Sequence, residues 1–349
     1  MKSIVVAGHL CLDIIPDLAG VEGFAPGRLI EAGHAVTTTG GAVANAGVSL
    51  HRLGVPVQLC ARIGQDLFGD GIIQILEREG RGLSDGIVQV AGADTSYTVV
   101  INLRGQDRMF LHHPGTNATF SSDDLSDEVL RNASHLHFGY PPLMRQIYLD
   151  DGRELTEMFR RAKDLGCTTS LDMSLPDSDS ESGQQDWRAI LTNVLPYVDV
   201  FVPSIEELVY MLEPERFHAL RGGIFSMLPR SEIERLVYAT HALGTHGVMV
   251  KLGGNGIVVS LRQPLLNWQP GVTWQSCFPV RVVGTTGAGD ATIAGLLYGL
   301  LTQETRERSS EFACAVGAYS CEVADATSNI PDAETMKRRL QNEWGVSEC

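Results

Sequence analysis

One stretch near the C-terminal end, residues 282–297, reads VVGTTGAGDATIAGLL. Its Gly-Ala-Gly turn lets successive backbone N–H groups point toward one place, and the apolar run after Asp290 predicts a helix whose positive N-terminal end faces that place. This combination is typical of an anion site, most often one for phosphate. Asp290 could accept a proton from an attacking hydroxyl, or it could simply cap the helix, and the stretch alone favours neither.

Upstream of this stretch, predicted strands and helices alternate and are joined by glycine turns. The predicted strands are 3–7, 55–63, 135–138, 167–172, 198–202, 248–252 and 278–283. The predicted helices are 42–53, 70–79, 151–165, 187–195, 205–212, 231–243, 291–301 and 309–324, and 213–230 has the character of an insertion. This alternation predicts a parallel α/β sheet.

Two segments interrupt that rhythm. Residues 95–103 and 108–112 are predicted strands joined by the polar turn 104–107, which indicates an antiparallel hairpin. With the strands expected in 14–39 they would form a small separate sheet. The adjacent His112 and His113 suggest a metal site, but neighbouring strand residues point to opposite faces, so we do not expect them to bind one ion.

Composition excludes several classes of function. The 349 residues are 44% apolar and 20% charged, which is typical of a globular protein with a large core. A net charge of −15 argues against nucleic-acid or anionic-membrane partners, and the absence of a long apolar run argues against a membrane span. The seven scattered cysteines lack a C-x-x-C spacing, so we expect a reduced, cytoplasmic setting without disulfides or zinc.

Two common phosphate-binding loops are also excluded. The chain contains no G-x-x-x-x-G-K-[ST] sequence, so it is not a P-loop protein. The G-x-G within 287–289 is followed by Thr292 where a third small residue would be required, which argues against a Rossmann dinucleotide site.

The segment 284–290, GTTGAGD, resembles the C-terminal signature of the ribokinase-like (PfkB) carbohydrate kinases, usually DTTGAGD. Four further motifs of that family occur in the same order. They are Gly8 followed by Asp13, GGAVANA at 40–46 leading to GQDLFG at 64–69, DVFVP at 199–203 followed by Glu207, and VKLGGNG at 250–256. The resemblance covers residues 3–331, and its five ordered matches make it specific.

The resemblance implies a fold and an activity. The expected fold is one three-layer α/β/α domain spanning residues 1–349, with a mostly parallel sheet and a small β-sheet lid built from inserted segments at about 14–39 and 92–117. The expected reaction is ATP-dependent phosphorylation of a sugar or sugar-like hydroxyl, with Mg²⁺ as cofactor. Asp290 would be the general base, and Gly287, Ala288 and Gly289 would form the anion hole for the γ-phosphate.

The resemblance also assigns a substrate side. Asp13 would accept hydrogen bonds from sugar hydroxyls, although a simple turn residue is the alternative. Gly40 and Gly41 would let the sugar approach the backbone, although an ordinary helix start is the alternative. Asn45 would contribute a substrate amide, unless it is bonded to backbone. Gly139 is a candidate for the pocket wall because it lies at the end of a predicted strand, where ligand sites of α/β proteins cluster.

On the nucleotide side, the resemblance assigns Lys251, Gly253, Gly256, Thr286 and Ser204. Lys251 could touch phosphate or could be a solvated strand end. Glu207 would belong to the magnesium–water shell. A small-molecule sugar would be the substrate, and the lid edges would allow a homodimer.

Departures from the family pattern limit these expectations. Gly284 replaces an aspartate that, in the family, helps to hold a monovalent cation. A requirement for that cation therefore does not follow from the resemblance. Ser204 replaces an asparagine, and Ala42 replaces the lysine of ribokinases proper, which disfavours ribose. Two alternatives stay open. One is a nucleoside kinase with Tyr97, Phe110 or Tyr140 stacking on the base, and the other is a non-catalytic ligand-binding protein.

Overall fold

The computed structural model describes residues 3–103, 109–220, 228–323 and 325–345. Within this part of the chain the strands are β1 (Ser3–Gly8), β2 (Cys11–Pro16), β3 (Ala35–Gly40), β4 (Val57–Gly64), β5 (Ile87–Val90), β6 (Tyr97–Ile101), β7 (Met109–His113), β8 (Ala133–Gly139), β9 (Thr168–Leu171), β10 (Val200–Phe201), β11 (Gly247–Lys251), β12 (Ile257–Leu261) and β13 (Gly271–Gln275). The α-helices are α1 (Ala42–Arg52), α2 (Leu67–Glu79), α3 (Asp127–Asn132), α4 (Arg145–Asp164), α5 (Trp187–Val194), α6 (Ile205–Leu212), α7 (Pro214–Leu220), α8 (Arg230–His241), α9 (Ala288–Leu301), α10 (Arg306–Ser320) and α11 (Ala333–Asn342).

Nine strands form the large sheet, in the order β13-β12-β11-β10-β9-β8-β1-β4-β5. The pairs from β11 to β5 are parallel, and β12 and β13 add two antiparallel strands at one edge. The carboxyl ends of the parallel strands therefore meet along one edge of the sheet, where ligands of α/β proteins bind.

Helices cover both faces of this sheet. Successive residues of β1 point to opposite sides, so Ile4 and Val6 belong to one apolar core, and Val5 and Ala7 belong to another. The first core is shared with α1, α2, α9, α10 and α11, and the second with α3, α4, α5, α6 and α8. The three-layer architecture predicted from the sequence is confirmed.

A separate four-stranded sheet has the order β3-β2-β6-β7. β6 and β7 come from the two segments that interrupt the α/β rhythm, and β2 and β3 come from residues 11–40. The β6–β7 pair is antiparallel as predicted. The turn at 104–107 lies outside the described residues. The sheet starts earlier than expected, at Cys11, so Asp13 lies within β2 and does not follow the end of a buried strand.

One predicted strand, 278–283, is wrong. Residues 277–283 are irregular, and the strand that borders the sheet here is β13. Pro279 has no N–H to give to a ladder, and the side chains of Val282 and Val283 are 62% and 58% exposed, so they do not face a core. The segment instead runs along the cavity described below.

Two other boundaries differ from prediction. The last long apolar helix, α9, begins at Ala288 and therefore includes Asp290. The segment predicted as an insertion, 213–230, contains α7, and its part 221–227 lies outside the described residues. None of the described helices combines the length and apolar character that a membrane crossing requires.

Candidate active site

The turn before α9 has the conformation that its glycines predicted. Gly287 is the N-cap of the helix and adopts a left-handed conformation, with φ 71° and ψ 0°. A side chain at this position would collide with Ala326. Gly287, Ala288 and Gly289 line the neighbouring cavity, and the N-terminus of a helix favours a negatively charged group beside it.

Asp290 lies in the first turn of α9 and is 2% exposed. Its Oδ2 atom accepts hydrogen bonds from the Asn45 amide at 3.0 Å and from the Tyr140 hydroxyl at 2.7 Å. Its Oδ1 atom has no partner among the described residues. Because Gly287 is the N-cap and α9 has no side-chain cap bond, capping is not the role of Asp290.

The surroundings of Asp290 favour its uncharged form. Burial raises the pKa of this carboxyl, while the Lys251 ammonium and the hydrogen bonds from Tyr140 and Asn45 oppose that rise. The carboxylate is therefore held with one oxygen fixed and the other directed at whatever fills the site, and it has a raised affinity for a proton. Both properties suit a general base.

A buried lysine lies beside this turn. The Lys251 Nζ atom donates to Asp172 Oδ1 at 2.6 Å, and it lies 3.6 Å from the position that a Cβ of Gly289 would occupy. The lysine side chain is 13% exposed, so the alternative of a solvated strand end is wrong. Burial alone would lower its pKa, but the carboxylates of Asp172 and Glu207 raise it above its usual range.

The two carboxylates around Lys251 have raised pKa values as well. Burial raises the pKa of Asp172 to about 8, and Lys251 offsets only part of that effect. Burial also raises the pKa of Glu207. Glu207 forms a capping box at α6, in which its carboxylate accepts from Ser204 N at 2.6 Å and the Ser204 hydroxyl accepts from Glu207 N at 3.2 Å. The carboxyl groups of Asp172, Glu207 and Asp290 thus surround the ammonium group of Lys251.

A cavity of about 570 Å³ opens at this cluster. It is bordered by the turn after β11, the irregular segment 277–283, the turn before α9 and the helix α10. The lining includes these residues singled out from the sequence: Ser204, Glu207, Lys251, Gly253, Gly256, Gly287, Ala288, Gly289 and Asp290. Thr285 lines it too, whereas Thr286 is not among the described lining residues.

The predicted substrate residues lie on the other side of Asp290. Gly40 lies against the Asp13 carboxylate, because a Cβ at this position would be 2.6 Å from Asp13 Oδ1 and would force the carboxylate to move. Burial raises the pKa of Asp13 to about 6, against hydrogen bonds from Cys11 and Thr98. The Asn45 side chain bonds to Asp290 and not to backbone, which excludes that alternative within the described residues.

Two residues of the site, Asp172 and His9, were not identified from the sequence, and Tyr140 was considered only as a stacking residue for a nucleoside base. Tyr140 follows Gly139 at the end of β8, with φ 65°, and its hydroxyl bonds to Asp290. Gly139 itself packs against Ala42. Asp172 directly follows β9, so a carboxylate at the end of a parallel strand was a signal available in the sequence. His9 lies against Gly41, and no sequence motif indicated a role for it.

The two histidines of the small sheet, His112 and His113, have different neighbours. The His112 Nδ1 atom is 3.0 Å from the Thr98 hydroxyl, whereas His113 Nε2 is 3.9 Å from an Asp94 carboxylate oxygen. The two rings thus have different partners. No group of three or more His, Cys, Asp or Glu side chains in the described part of the chain could hold a metal ion by itself.

Comparison with known proteins assigns the chain to a protein family. Residues 1–333 match the family model described as pfkB family carbohydrate kinase. The chain belongs to this family. The resemblance inferred from the motifs is therefore confirmed, the protein is a carbohydrate kinase, and the non-catalytic alternative is not retained.

Individual relatives agree with that assignment. Fructokinase-1 of Oryza sativa subsp. japonica is 26% identical over 345 residues, which cover 96% of each chain. The structure of Arabidopsis thaliana ribokinase complexed with ribose and ATP superimposes with a TM-score of 0.77 at 23% identity, covering 97% of this chain and 99% of that one. A putative ribokinase II from E. coli in complex with ATP and Mg²⁺ gives 0.75 at 20% identity, covering 98% and 99%.

Proposed function

We propose that this carbohydrate kinase transfers the γ-phosphoryl group of ATP to a hydroxyl of a sugar or sugar-like alcohol, with Asp290 as the general base. The observation that carries the proposal is the environment of Asp290. It is a buried carboxylate at a helix N-terminus, with one oxygen held by two donors and the other without a partner. A phosphoryl acceptor requires such a group to remove its proton as the new O–P bond forms and the bond to ADP breaks.

The cavity of about 570 Å³ is the proposed nucleotide site. ATP would lie along the turns 253–256 and 285–289, with its γ-phosphate over the backbone N–H groups of Gly287–Gly289. Lys251, held by Asp172 next to Gly289, would place a positive charge near the transferred group. The ATP complexes of two structural relatives support this choice of nucleotide.

The residues around Lys251 fit a magnesium ion bound with the nucleotide. Mg²⁺ prefers oxygen ligands and is held in kinase sites by one or two carboxylates together with phosphates and waters. Glu207 lines the cavity, and Asp172 has an Oδ2 atom without a partner. These two carboxylates would hold the ion, Glu207 through water. When bound, it would neutralise phosphate charge. Gly284 offers no carboxylate, so no monovalent cation is part of the proposal.

The acceptor would lie between Asp290 and the small sheet. Asp13 and Asn45 would orient its hydroxyls, and Gly40 and Gly41 would let it approach the backbone. The small sheet would act as a lid that excludes water and so limits hydrolysis of ATP. The nucleoside alternative finds less support, because Tyr140 donates to Asp290 and Tyr97 packs against Phe68, with ring centroids 5.3 Å apart.

A substrate panel tests the proposal. ADP formation would be measured with pentoses, hexoses, ketodeoxy sugar acids and nucleosides, each in the presence of ATP and Mg²⁺. We expect stimulation by at least one carbohydrate. Stimulation by nucleosides alone would favour the alternative, and no stimulation by any compound would contradict the proposal.

Replacing Tyr140 by Phe tests whether the Tyr140 hydroxyl lowers the pKa of Asp290. The Tyr140 hydroxyl stabilises ionised Asp290, so its removal should raise the pKa of that carboxyl further. The base works only when deprotonated, so the acid limb of the kcat–pH profile should move to higher pH. Tyr148→Phe is the matched control, since Tyr148 lies near Glu181 and away from the cavity. An unmoved acid limb in Tyr140→Phe would contradict this role.

The lid is also the proposed surface of a homodimer. Val36, Met109, Phe110 and Leu111 of β3 and β7 expose 49%, 43%, 57% and 60% of their surface. A second copy would cover these apolar side chains. Light scattering after gel filtration should give the mass of a dimer, and Phe110→Lys should give a monomer. Tyr238→Lys, at an exposed residue of α8, is the control, and a monomeric wild-type protein would contradict the proposal.

A further inference from the structure

His9 lies at the junction between the two sheets. It is one of two residues between β1 and β2, and it is 2% exposed. Its N–H donates to the Gly139 carbonyl at 3.2 Å, and its own carbonyl accepts from Val43 N at 3.2 Å. These two hydrogen bonds fix the backbone of His9 to β8 and to the start of α1. The point at which its side chain leaves the backbone is therefore fixed too.

The His9 ring has no hydrogen-bond partner in the part of the chain that the structure describes. Neither Nδ1 nor Nε2 is satisfied by any described residue, although both atoms are buried. Burial and the neighbouring His112 lower the pKa of the ring to about 3, so the imidazole is neutral and carries one donor and one acceptor. Buried polar atoms of native proteins are almost always bonded, and an unbonded pair on one ring indicates that a ligand supplies the partners.

The neighbours of this ring include residues that border the proposed acceptor site. His9 Nδ1 is 2.5 Å from the position that a Cβ of Gly41 would occupy. The ring centroid is 5.2 Å from that of His112 on the lid and 6.2 Å from that of Tyr140, whose hydroxyl bonds to Asp290. Two more buried acceptor atoms without partners lie at the same site, namely Asn45 Oδ1 and Asp290 Oδ1.

We propose that His9 is a substrate-binding residue and that it selects a neutral polyol, a sugar or cyclitol without carboxylate or phosphate. The inference rests on the function proposed above and specifies its substrate class. One ring nitrogen donates to a substrate hydroxyl oxygen, and the other accepts from a hydroxyl. Each hydroxyl can donate and accept, so a polyol satisfies the neutral imidazole completely.

Charge at the site explains the preference for a neutral compound. The carboxylates of Asp13 and Asp290 border the proposed acceptor region, and Lys251, whose charge acts on Asp290, is bonded to Asp172. A substrate carboxylate or phosphate beside His9 would lie among acidic groups without a counter-charge, which is unfavourable in a buried site. The lid turn 104–108, which contains Arg104 and Arg108, lies outside the described residues.

The experiment compares neutral and acidic compounds in wild type and variants. The panel contains D-fructose, D-ribose and myo-inositol on one side, and 2-keto-3-deoxygluconate and fructose 6-phosphate on the other. Binding is measured by calorimetry with a non-hydrolysable ATP analogue, and turnover by ADP formation. The variants are His9→Leu, which removes both polar atoms, and His9→Gln, which keeps a donor and an acceptor. His113→Leu is the matched control on the lid.

We expect a neutral compound to bind and to be phosphorylated best. His9→Leu should weaken its binding and raise its KM by about tenfold or more, with the KM for ATP nearly unchanged. His9→Gln should recover part of that loss, and His113→Leu should match wild type. A purely structural role of His9 would lower thermal stability and affect both substrates alike, which would overturn the inference.

The outcomes separate this inference from the proposed function. Turnover that is best with a sugar acid or sugar phosphate would overturn the neutral-polyol selection and leave the kinase function intact. Binding of a neutral compound that depends on His9, without turnover, would support the inference and contradict the kinase chemistry. Equal binding of the best neutral compound by wild type and His9→Leu, or no binding of any neutral compound, would overturn the inference.

Discussion

Replacing Asp290 by Asn is expected to lower kcat between about 10²-fold and 10⁴-fold, the range that a positioned general base contributes. The amide oxygen of the new side chain can still accept from Asn45 and Tyr140, so the site keeps its hydrogen bonds. The amide NH₂ then faces the substrate where Oδ1 was, and it cannot take a proton. The variant should therefore fold and bind the acceptor, yet turn over very slowly.

Three measurements make this test decisive. Thermal unfolding should show a folded protein, calorimetry should show acceptor binding close to that of wild type, and only kcat should fall. Asp13→Asn is the comparison, because Asp13 would orient the acceptor without taking its proton. We expect that variant to raise the KM for the acceptor more than it lowers kcat. Near-normal kcat in Asp290→Asn would show that another group is the base.

Replacing Lys251 by Met is expected to give the second-largest effect, this time on stability. The side chain of Asp172 is 1% exposed and has Lys251 as its ion-pair partner. Without Lys251, Asp172 must either stay ionised without a partner or take up a proton, and an uncompensated buried charge costs about 3–5 kcal/mol of unfolding free energy. The second change Asp172→Asn removes that charge, so the double variant should recover much of the loss. Urea unfolding measures all three proteins.

The loss should also depend on pH in a defined direction. The pKa of Asp172 is raised to about 8 in the folded protein, and that of Glu207 is raised too. A carboxyl with a raised folded pKa destabilises the fold as pH rises from its unfolded pKa toward its folded pKa. Without the ammonium these values rise further, so Lys251→Met should lose more stability at pH 8.5 than at pH 5.5. Lys337→Met, at an exposed pair with Glu334, should change little at either pH.

A small loss of unfolding free energy in Lys251→Met would contradict this account of the charged cluster. A loss that Asp172→Asn does not relieve would contradict it as well. The same variant bears on function. If Lys251 supplies charge near the γ-phosphate, kcat should fall in Lys251→Met and should be lower in the double variant than in Asp172→Asn alone, which lacks only the proposed magnesium ligand. Recovery of kcat together with stability would assign Lys251 a purely structural role.

The fold could be inferred from the sequence because its local signals agree with its tertiary structure. Strands buried on both faces are continuous apolar runs, as in Ile4–Ala7, and glycine turns separate them from amphipathic helices. The predicted strand at 278–283 failed because two β-branched residues, Val282 and Val283, are exposed and do not belong to a ladder, and Val282 lines the cavity. A local pattern cannot distinguish these two situations.

The site could be inferred only where its residues form a motif. Gly287–Asp290 is contiguous, and its chemistry follows from the turn and the helix N-terminus. Tyr140 and Asp172 reach the same place from β8 and β9, which are far from that turn in sequence, so only the sheet order brings them together. His9 is recognised by the absence of hydrogen-bond partners, a property that exists only in the folded chain.

The most direct test of the central claim is phosphorus-31 NMR of the complete reaction with ATP, Mg²⁺ and the best acceptor of the substrate panel. The account predicts a new phosphomonoester signal that grows in step with ADP, requires the acceptor and is nearly absent with Asp290→Asn. Inorganic phosphate as the sole product beside ADP, or phosphomonoester formation at a wild-type rate with Asp290→Asn, would contradict it.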